Sequence, residues 1–489
     1  MKRWLTLLVS LFLLAAPIRA QETLPPPVVQ GKSFEILANS RYSVHSGFTS
    51  SLSRQVLANI LWAMSRAPSL GSTYREIYVA TPENVYLYNP DSHNLVVHLA
   101  GNHRYSANSA FEIGIAVERN EEAGLAIQAG LLAAVSFWDS ASGSVASCPM
   151  QFATNYANSN WNPNHPILMV NVYGQRTGTG LKDTCVARSS DSTLPLPATT
   201  GTDTFEILLT ELNFDTLFDP TSLPLSTISQ LLWAGYGVTP HTTANNRRGT
   251  TIPSAVANYY LTGRIYLVID SAVFRYHNRL PPGTNLATSD HRLELVVNGD
   301  RRDSLRQACV RLPQTAPVYI VVCVGDTTNN YPMIEAGFAA FQFLLQAKAL
   351  DLCASLTAPL TTTERLGIKN ALNLPAADQP VIVFSAGQAP VGVKEETQKI
   401  KSGLRVRQIP GLPVKVELYL PHPGKVHLTV TDLAGRKIST WTEDIKTPGA
   451  HIIEWSGTDE TGALVPSGVY ICKVESGKNL GRTRVVLTR

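Results

Sequence analysis

Charge is scarce in this sequence. Only 16% of its 489 residues are Asp, Glu, Lys or Arg, and methionine and cysteine number five and six. Beyond the N-terminus no Lys/Arg cluster remains, so the electrostatic footprint of a nucleic-acid binder is missing. After the first twenty residues no stretch approaches the ~18 consecutive apolar residues of a membrane-spanning helix. The cysteines form no Cys-x-x-Cys and lie too far apart for a zinc knuckle, which argues against a metal centre. Gly-x-Ser-x-Gly, His-Glu-x-x-His and Gly-x-x-x-x-Gly-Lys-Ser/Thr are all absent, removing the common hydrolase and nucleotide-hydrolysing signatures. His98, His103, His241, His277 and His291 show no ligand spacing. What remains is a globular composition, 44% hydrophobic and 8% aromatic. The length exceeds what one core holds and predicts about three domains.

Residues 1–20 read as a secretory signal peptide. Lys2-Arg3 precedes an apolar run from Trp4 to Ala16, then Ile18-Arg19-Ala20, with cleavage expected near Ala20. Removing Lys2, Arg3 and Arg19 takes the formal charge from +4 to +1. The basic balance therefore belongs mostly to the leader, and the mature chain is expected in the periplasm, at the cell surface or secreted. In such an oxidising compartment Cys148 and Cys185, both beside polar loop sequence, are the expected disulfide. Cys323 in an apolar run and Cys353, expected on a helix, read as buried thiols.

An internal repeat organises the chain. Ile228-Ser-Gln-Leu-Leu-Trp233-Ala234 echoes Ile60-Leu-Trp62-Ala63, and each is followed by a Pro-Ser step, Pro253-Ser254 and Pro68-Ser69. Glu122-Ala-Gly124 and Glu335-Ala-Gly337 open two helices that are apolar nearly all round, the pattern of helices buried on most faces. Each helix leads to a strand ending in Gly-Gln, and Gln175 follows Glu122, as Gln388 follows Glu335, by 53 positions. The reading is an α+β unit over 31–188, a Ser/Thr/Pro-rich linker over 189–203, and a second copy over 204–393. After a linker over 394–403, residues 404–489 change to short alternating strands separated by turns, an all-β sandwich pattern.

These motifs, in this order, resemble the nitroreductase-like flavoprotein family, and the second copy is most similar to its thiazole/oxazole-forming dehydrogenase branch. The resemblance rests on Leu231 to Ala234, Arg247-Arg248, Pro253-Ser254-Ala255, Glu335 to Gly337 and Gly387, and covers roughly Ser40 to Gly392. It implies an internal pseudo-dimer, complete as a monomer, with FMN between the copies, NAD(P)H as donor and a small-molecule acceptor. The family's phosphate-gripping Arg-x-Ser-x-Arg corresponds to Arg41-Tyr-Ser43-Val-His45, with His45 in place of the second arginine. Glu122, Gly124 and Arg176 would complete that site with Pro253 and Ser254. The reciprocal site, from Glu335, Gly337 and Lys394 with Ser69, has no such grip near Glu211 to Leu217 unless Arg247 or Arg248 supplies it. A phosphate needs fixed cations and hydroxyl donors, and a glycine at a helix start lets backbone approach a ring.

The plainer alternatives are surface charge for Arg41, Arg176, Arg247 and Arg248, turn roles for Ser69 and Ser254, and helix-dipole roles for Glu122 and Glu335. The tail resembles the immunoglobulin-like module of flagellar-hook-cap-type and type IX secretion proteins, through Asp432-Leu-Ala-Gly435-Arg436, Trp455-Ser-Gly457-Thr-Asp459 and Pro466-Ser-Gly468-Val-Tyr470. It implies contact with outer-membrane secretion machinery. Two functions follow: an exported FMN oxidoreductase passing hydride through flavin N5, or a flavin-free binding or structural module on the cell surface.

Overall fold

The structure, a computed structural model, describes residues 21–44, 48, 52–137, 144–176, 194–242, 248–254, 258–279, 289–390, 405–409, 414–420, 423–432, 436–447, 449–466, 468–476 and 479–487. The leader, His45, Cys185, Arg247 and Lys394 lie outside the described residues.

The first unit runs β1 (Gln21–Thr23), α1 (Phe34–Ser40), α2 (Arg54–Arg66), β2 (Arg75–Ala80), β3 (Asn84–Asn89), β4 (Asn94–Ala100), β5 (Phe111–Val117), α3 (Asn120–Ser136), β6 (Ser144–Met150), α4 (Gln151–Asn160) and β7 (Met169–Arg176). Its sheet has the order β1-β4-β3-β2-β5-β7-β6.

The second unit runs α5 (Phe205–Thr210), α6 (Leu225–Tyr236), β8 (Val238–Thr242), β9 (Arg248–Thr250), β10 (Ile265–Val268), β11 (Ala272–Arg279), β12 (Ser289–Asn298), α7 (Arg302–Ala308), β13 (Val318–Val324), α8 (Asn330–Ala349), β14 (Cys353–Thr357), α9 (Thr362–Leu372) and β15 (Gln379–Gly387). Its main sheet has the order β12-β11-β10-β13-β15-β14. Setting the short β1 aside, the two sheets share one strand order, and every pairing within them is antiparallel. Cys353, expected on a helix, opens β14 instead.

Side-chain alternation shows where the layers lie. In β13, Val318, Ile320, Val322 and Val324 join the central core, whereas Tyr319, Val321 and Cys323 join a separate cluster beneath α7 and α9. In β5, Phe111, Ile113, Ile115 and Val117 likewise face the centre, while Ala116 faces the cluster that holds Trp161. A strand covered on both faces needs few polar residues: β13 is one continuous apolar run, and β5 is broken only by Glu112, whose buried carboxylate accepts from the Tyr105 and Ser106 N–H groups.

Between the sheets lie α3 and α8, buried from Glu121 to Ser136 and from Pro332 to Ala347, as their all-round apolar sequences predict. They cross at Gly124 and Gly337. A Cβ on Gly124 would lie 2.2 Å from the Ile334 carbonyl oxygen, and one on Gly337 would lie 2.1 Å from that of Glu121. Only glycine permits this approach.

The units also meet at a reciprocal backbone pair. Ser33 and Thr204 form an antiparallel bridge, with Phe34 N–H donating to Asp203 O (3.2 Å) and Phe205 N–H to Lys32 O (3.1 Å). The connecting segment from Leu194 is packed rather than loose. Its Ala198 exchanges two hydrogen bonds with Gln230, Gly201 N–H donates to Ser33 Oγ, and Pro195 O accepts from Ser229. His291 lies buried between Ser229 (2.6 Å) and Tyr276 (2.9 Å).

The last strands are β16 (Arg405–Ile409), β17 (Val414–Leu420), β18 (Gly424–Asp432), β19 (Lys437–Ile445), β20 (Gly449–Trp455), β21 (Gly468–Ser476) and β22 (Asn479–Leu487). They form two antiparallel sheets, β16-β17-β20 and β19-β18-β21-β22. Leu418, Leu420, Val426, Leu428, Val430, Ile453, Trp455 and Cys472 share their core. The alternation seen in the sequence is thus an inside-outside alternation.

Candidate functional site

Glu122 sits in the first turn of α3 with a side chain only 1% exposed. Its carboxylate takes Arg75 Nη2 at 2.6 Å and Nε at 2.9 Å, together with the Leu70 N–H at 2.7 Å. Burial alone would raise its pKa, but Arg75 and the Leu70 amide outweigh it and hold the carboxyl below the usual range. Ser69 Oγ donates to the same carboxylate at 3.3 Å.

Glu335 does the equivalent work with neutral partners: Ser254 Oγ at 2.6 Å, Tyr236 OH at 2.8 Å and the Leu261 N–H at 3.3 Å. The Ser254 oxygen also accepts from the Tyr259 N–H. Each Pro-Ser hydroxyl is therefore turned toward the glutamate of its own unit. That differs from the sequence expectation, in which Ser254 reached across to the other copy. A buried carboxylate draws the nearby loop donors to itself; Glu335 lies in the second turn of α8, so unlike Glu122 it is not placed by the helix dipole. The glycine expectation changes as well: the close approach that Gly124 and Gly337 allow is to each other's helix rather than to a ring.

Arg41 does cross between the units. It follows directly on α1, is 2% exposed, and donates from Nε to Thr251 O and from Nη2 to Thr250 O, both at 3.1 Å. Its described acceptors are carbonyls and include no carboxylate. Burial lowers its pKa to about 10, opposed by the nearby Cys148 and Tyr259. From α8, Gln342 Nε2 donates to the same Thr251 carbonyl at 3.0 Å. Thr251 Oγ1 and Gln342 Oε1 are buried without a hydrogen-bond partner among the described residues. A desolvated guanidinium costs stability unless polar or anionic groups satisfy it; here Arg41 and the Thr251 hydroxyl can donate to an anion, whereas Gln342 Oε1 only accepts and calls for a donor such as a hydroxyl or N–H. This donor set fits a phosphate such as that of FMN.

The other expected residues are dispersed. Ser43, two residues after Arg41, is half-buried, and Pro253, two residues after Thr251, is buried. Arg176 closes β7 opposite Ser144, and Arg248 opens β9 opposite Thr242.

Thr250, Thr251 and Gln342 were not singled out in the sequence. The available signal was Gln342 with Gln346, four residues apart in a helix that is otherwise apolar from Ala336 to Ala347. A second missed signal is a further doublet, Phe34-Glu-Ile-Leu37 and Phe205-Glu-Ile-Leu208, the openings of α1 and α5. Aligning these openings sets Arg41 against Leu212, an apolar residue packed on the core.

Residues 217–388, which carry α6 to β15, match the model of the nitroreductase family. Among solved structures, a candidate nitroreductase from Anabaena variabilis superposes with TM-score 0.50 at 12% identity, covering 69% of this chain and 88% of its own. That share of the chain exceeds either unit, so the likeness of fold extends over both. A candidate nitroreductase from Ralstonia eutropha covers 43% of this chain and 96% of its own at 21% identity, TM-score 0.32. An FMN-dependent nitroreductase from Clostridium difficile covers 37% and 86% at 14% identity, TM-score 0.25. No curated protein matches the chain. Residues 217–388 thus match the nitroreductase family model, within a mixed α+β fold similar to that of the Anabaena variabilis structure.

Proposed function

We propose that this protein is an exported FMN-dependent oxidoreductase built as an internal pseudo-dimer, with one flavin site at the junction of its two copies. The observation that carries the reading is Arg41: a buried cation with carbonyl partners, spanning the junction beside the unfilled Thr251 Oγ1 and Gln342 Oε1. The shared strand order supports a duplication, and Leu212 opposite Arg41 argues for one phosphate grip rather than two. Bound FMN supplies hydride acceptance and donation at N5. Arg41 would hold the phosphate, Thr251 and Gln342 would fix polar groups at the junction, and the packed α3 and α8 would keep water from the site. Because both copies lie in one chain, a monomer would hold a complete site. NAD(P)H is the proposed donor and a small molecule the acceptor. The N-terminal leader would export the chain, and the C-terminal β module would engage outer-membrane secretion machinery.

The test is FMN titration of the mature chain, followed by flavin absorbance and fluorescence. About one FMN per chain is expected, with Arg41→Ala weakening binding tenfold or more and Glu211→Gln leaving it unchanged. A colourless protein that takes up no FMN overturns the reading.

A second reading is favoured by the closed Gly124–Gly337 contact and by the engagement of Ser254 with Glu335. In it the protein is a flavin-free module on the cell surface, and Arg41 simply rivets α1 to the Thr250–Thr251 backbone. Under that reading Arg41→Ala lowers the melting temperature, and FMN raises it in neither protein.

A further inference from the structure

The paired Phe-Glu-Ile-Leu openings bring two carboxyls to the joint between the units. Glu35 and Glu206 occupy the same position in α1 and α5, one on each side of the Ser33–Thr204 bridge, and are 6% and 2% exposed. Neither is satisfied as a buried carboxylate should be.

Glu35 accepts from Gln346 Nε2 of α8 at 3.0 Å through Oε1, but its Oε2 has no partner among the described residues. The connecting segment lies directly on that oxygen: a Cβ on Gly201 would be 2.0 Å from it. Facing Glu35 are Gln346, Ser33 and the carboxylate of Asp203, a like charge that opposes its ionisation. At Glu206 both oxygens lack a partner among the described residues, and Thr204 Oγ1 beside it is also unfilled. Facing Glu206 are the Gln30 amide, Ser136 at the end of α3, and Lys32. The Lys32 ammonium donates to Ser136 O at 2.8 Å.

We propose that Glu35 and Glu206 form a proton-operated clasp on the joint between the two units, closed when both carboxyls are neutral and loosened as they ionise. A neutral carboxyl carries its own donor and tolerates burial, whereas an ionised one must be held by the few donors here, Gln346 and Ser33 at Glu35 and the Gln30 amide, Ser136 and Lys32 at Glu206, which burial outweighs. The direction of titration agrees. Burial raises the pKa of both groups, that of Glu206 to about 7, with each residue's own backbone amide the largest opposing influence. A group whose folded pKa lies above its unfolded value of 4.5 favours folding most at low pH, and that advantage is lost as pH rises through the folded pKa. The clasp therefore weakens between about pH 4.5 and 7. The inference is independent of flavin binding.

The test measures unfolding of the full mature chain from pH 4.5 to 8, with amide exchange of Phe34 and Phe205, whose N–H groups make the reciprocal pair. In the native protein the unfolding equilibrium constant should rise with pH, by on the order of 10² from Glu206 alone. Both amides should lose protection over the same range, after correction for the intrinsic exchange rate. Glu206→Gln should remove most of that pH dependence and Glu35→Gln a further part. Identical pH profiles for the native protein and Glu206→Gln would overturn the proposal. If the variants do not fold, infrared titration of the native carboxyls decides. A buried carboxylic acid that ionises near pH 7 supports the clasp, and ionisation of every carboxyl near 4.5 overturns it.

Discussion

Gly124 and Gly337 face each other where α3 and α8 cross, each occupying space into which the other's side chain would otherwise project. The contact is reciprocal: Gly124 abuts the Ile334 carbonyl and Gly337 that of Glu121. The Glu-Ala-Gly doublet thus serves two purposes at once. Its glutamates anchor the Pro-Ser loops, and its glycines let the two central helices touch.

Adding a single methyl group at this crossing should be costly. In Gly337→Ala the new Cβ meets backbone rather than a flexible side chain, so the helices must separate. A loss of about 1–3 kcal/mol is expected from chemical denaturation, and Gly124→Ala should cost about the same. Gly263→Ala tests the control: its φ is +68°, but open space surrounds it, so only the smaller backbone strain should appear.

The Glu122–Arg75 pair should shape the acid limb of stability. The folded pKa of Glu122 is depressed, so its contribution is complete above the unfolded value of 4.5 and is lost as pH falls through the folded value. Glu122→Gln strands Arg75, which is itself largely buried, and should cost about 3 kcal/mol at neutral pH. The variant's stability should also fall less steeply below pH 4.5, as followed by circular dichroism.

Arg41 separates a rivet from a phosphate grip. Arg41→Lys keeps the charge but cannot hold the Thr250 and Thr251 carbonyls with the same fork. If the arginine serves FMN, titration should show at least tenfold weaker binding, and added FMN should stabilise the native protein by several degrees but the variant by little.

Gln342→Leu should divide stability from binding. Removing the amide also removes its unfilled oxygen, so the expected change in stability is small, within about 1 kcal/mol either way. FMN affinity should nonetheless fall several-fold. An unchanged affinity would take Gln342 out of the site.

Much of this was legible in the sequence because it rests on local pattern. Apolar residues nearly all round gave α3 and α8 as buried helices, and these helices pack against sheets of one strand order. Alternation gave the β-rich tail. The site was less legible. Arg41 was identified by its motif, but Thr251 and Gln342 come from the second unit, and Gln342 from the middle of an apolar helix. Only folding brings them within 3.1 Å of a shared carbonyl or one another's partner.

What the sequence determined by itself is therefore the inventory: the recurring motifs, the buried helices and a sheet-forming tail. Tertiary structure alone decided how each polar group is used. It turned Ser254 toward Glu335, set Gly124 against Gly337, and buried Glu35 and Glu206 at a joint with too few donors. The physical reason is that helix and strand formation depend on neighbours along the chain, whereas hydrogen-bond satisfaction and close packing depend on which distant backbone arrives opposite.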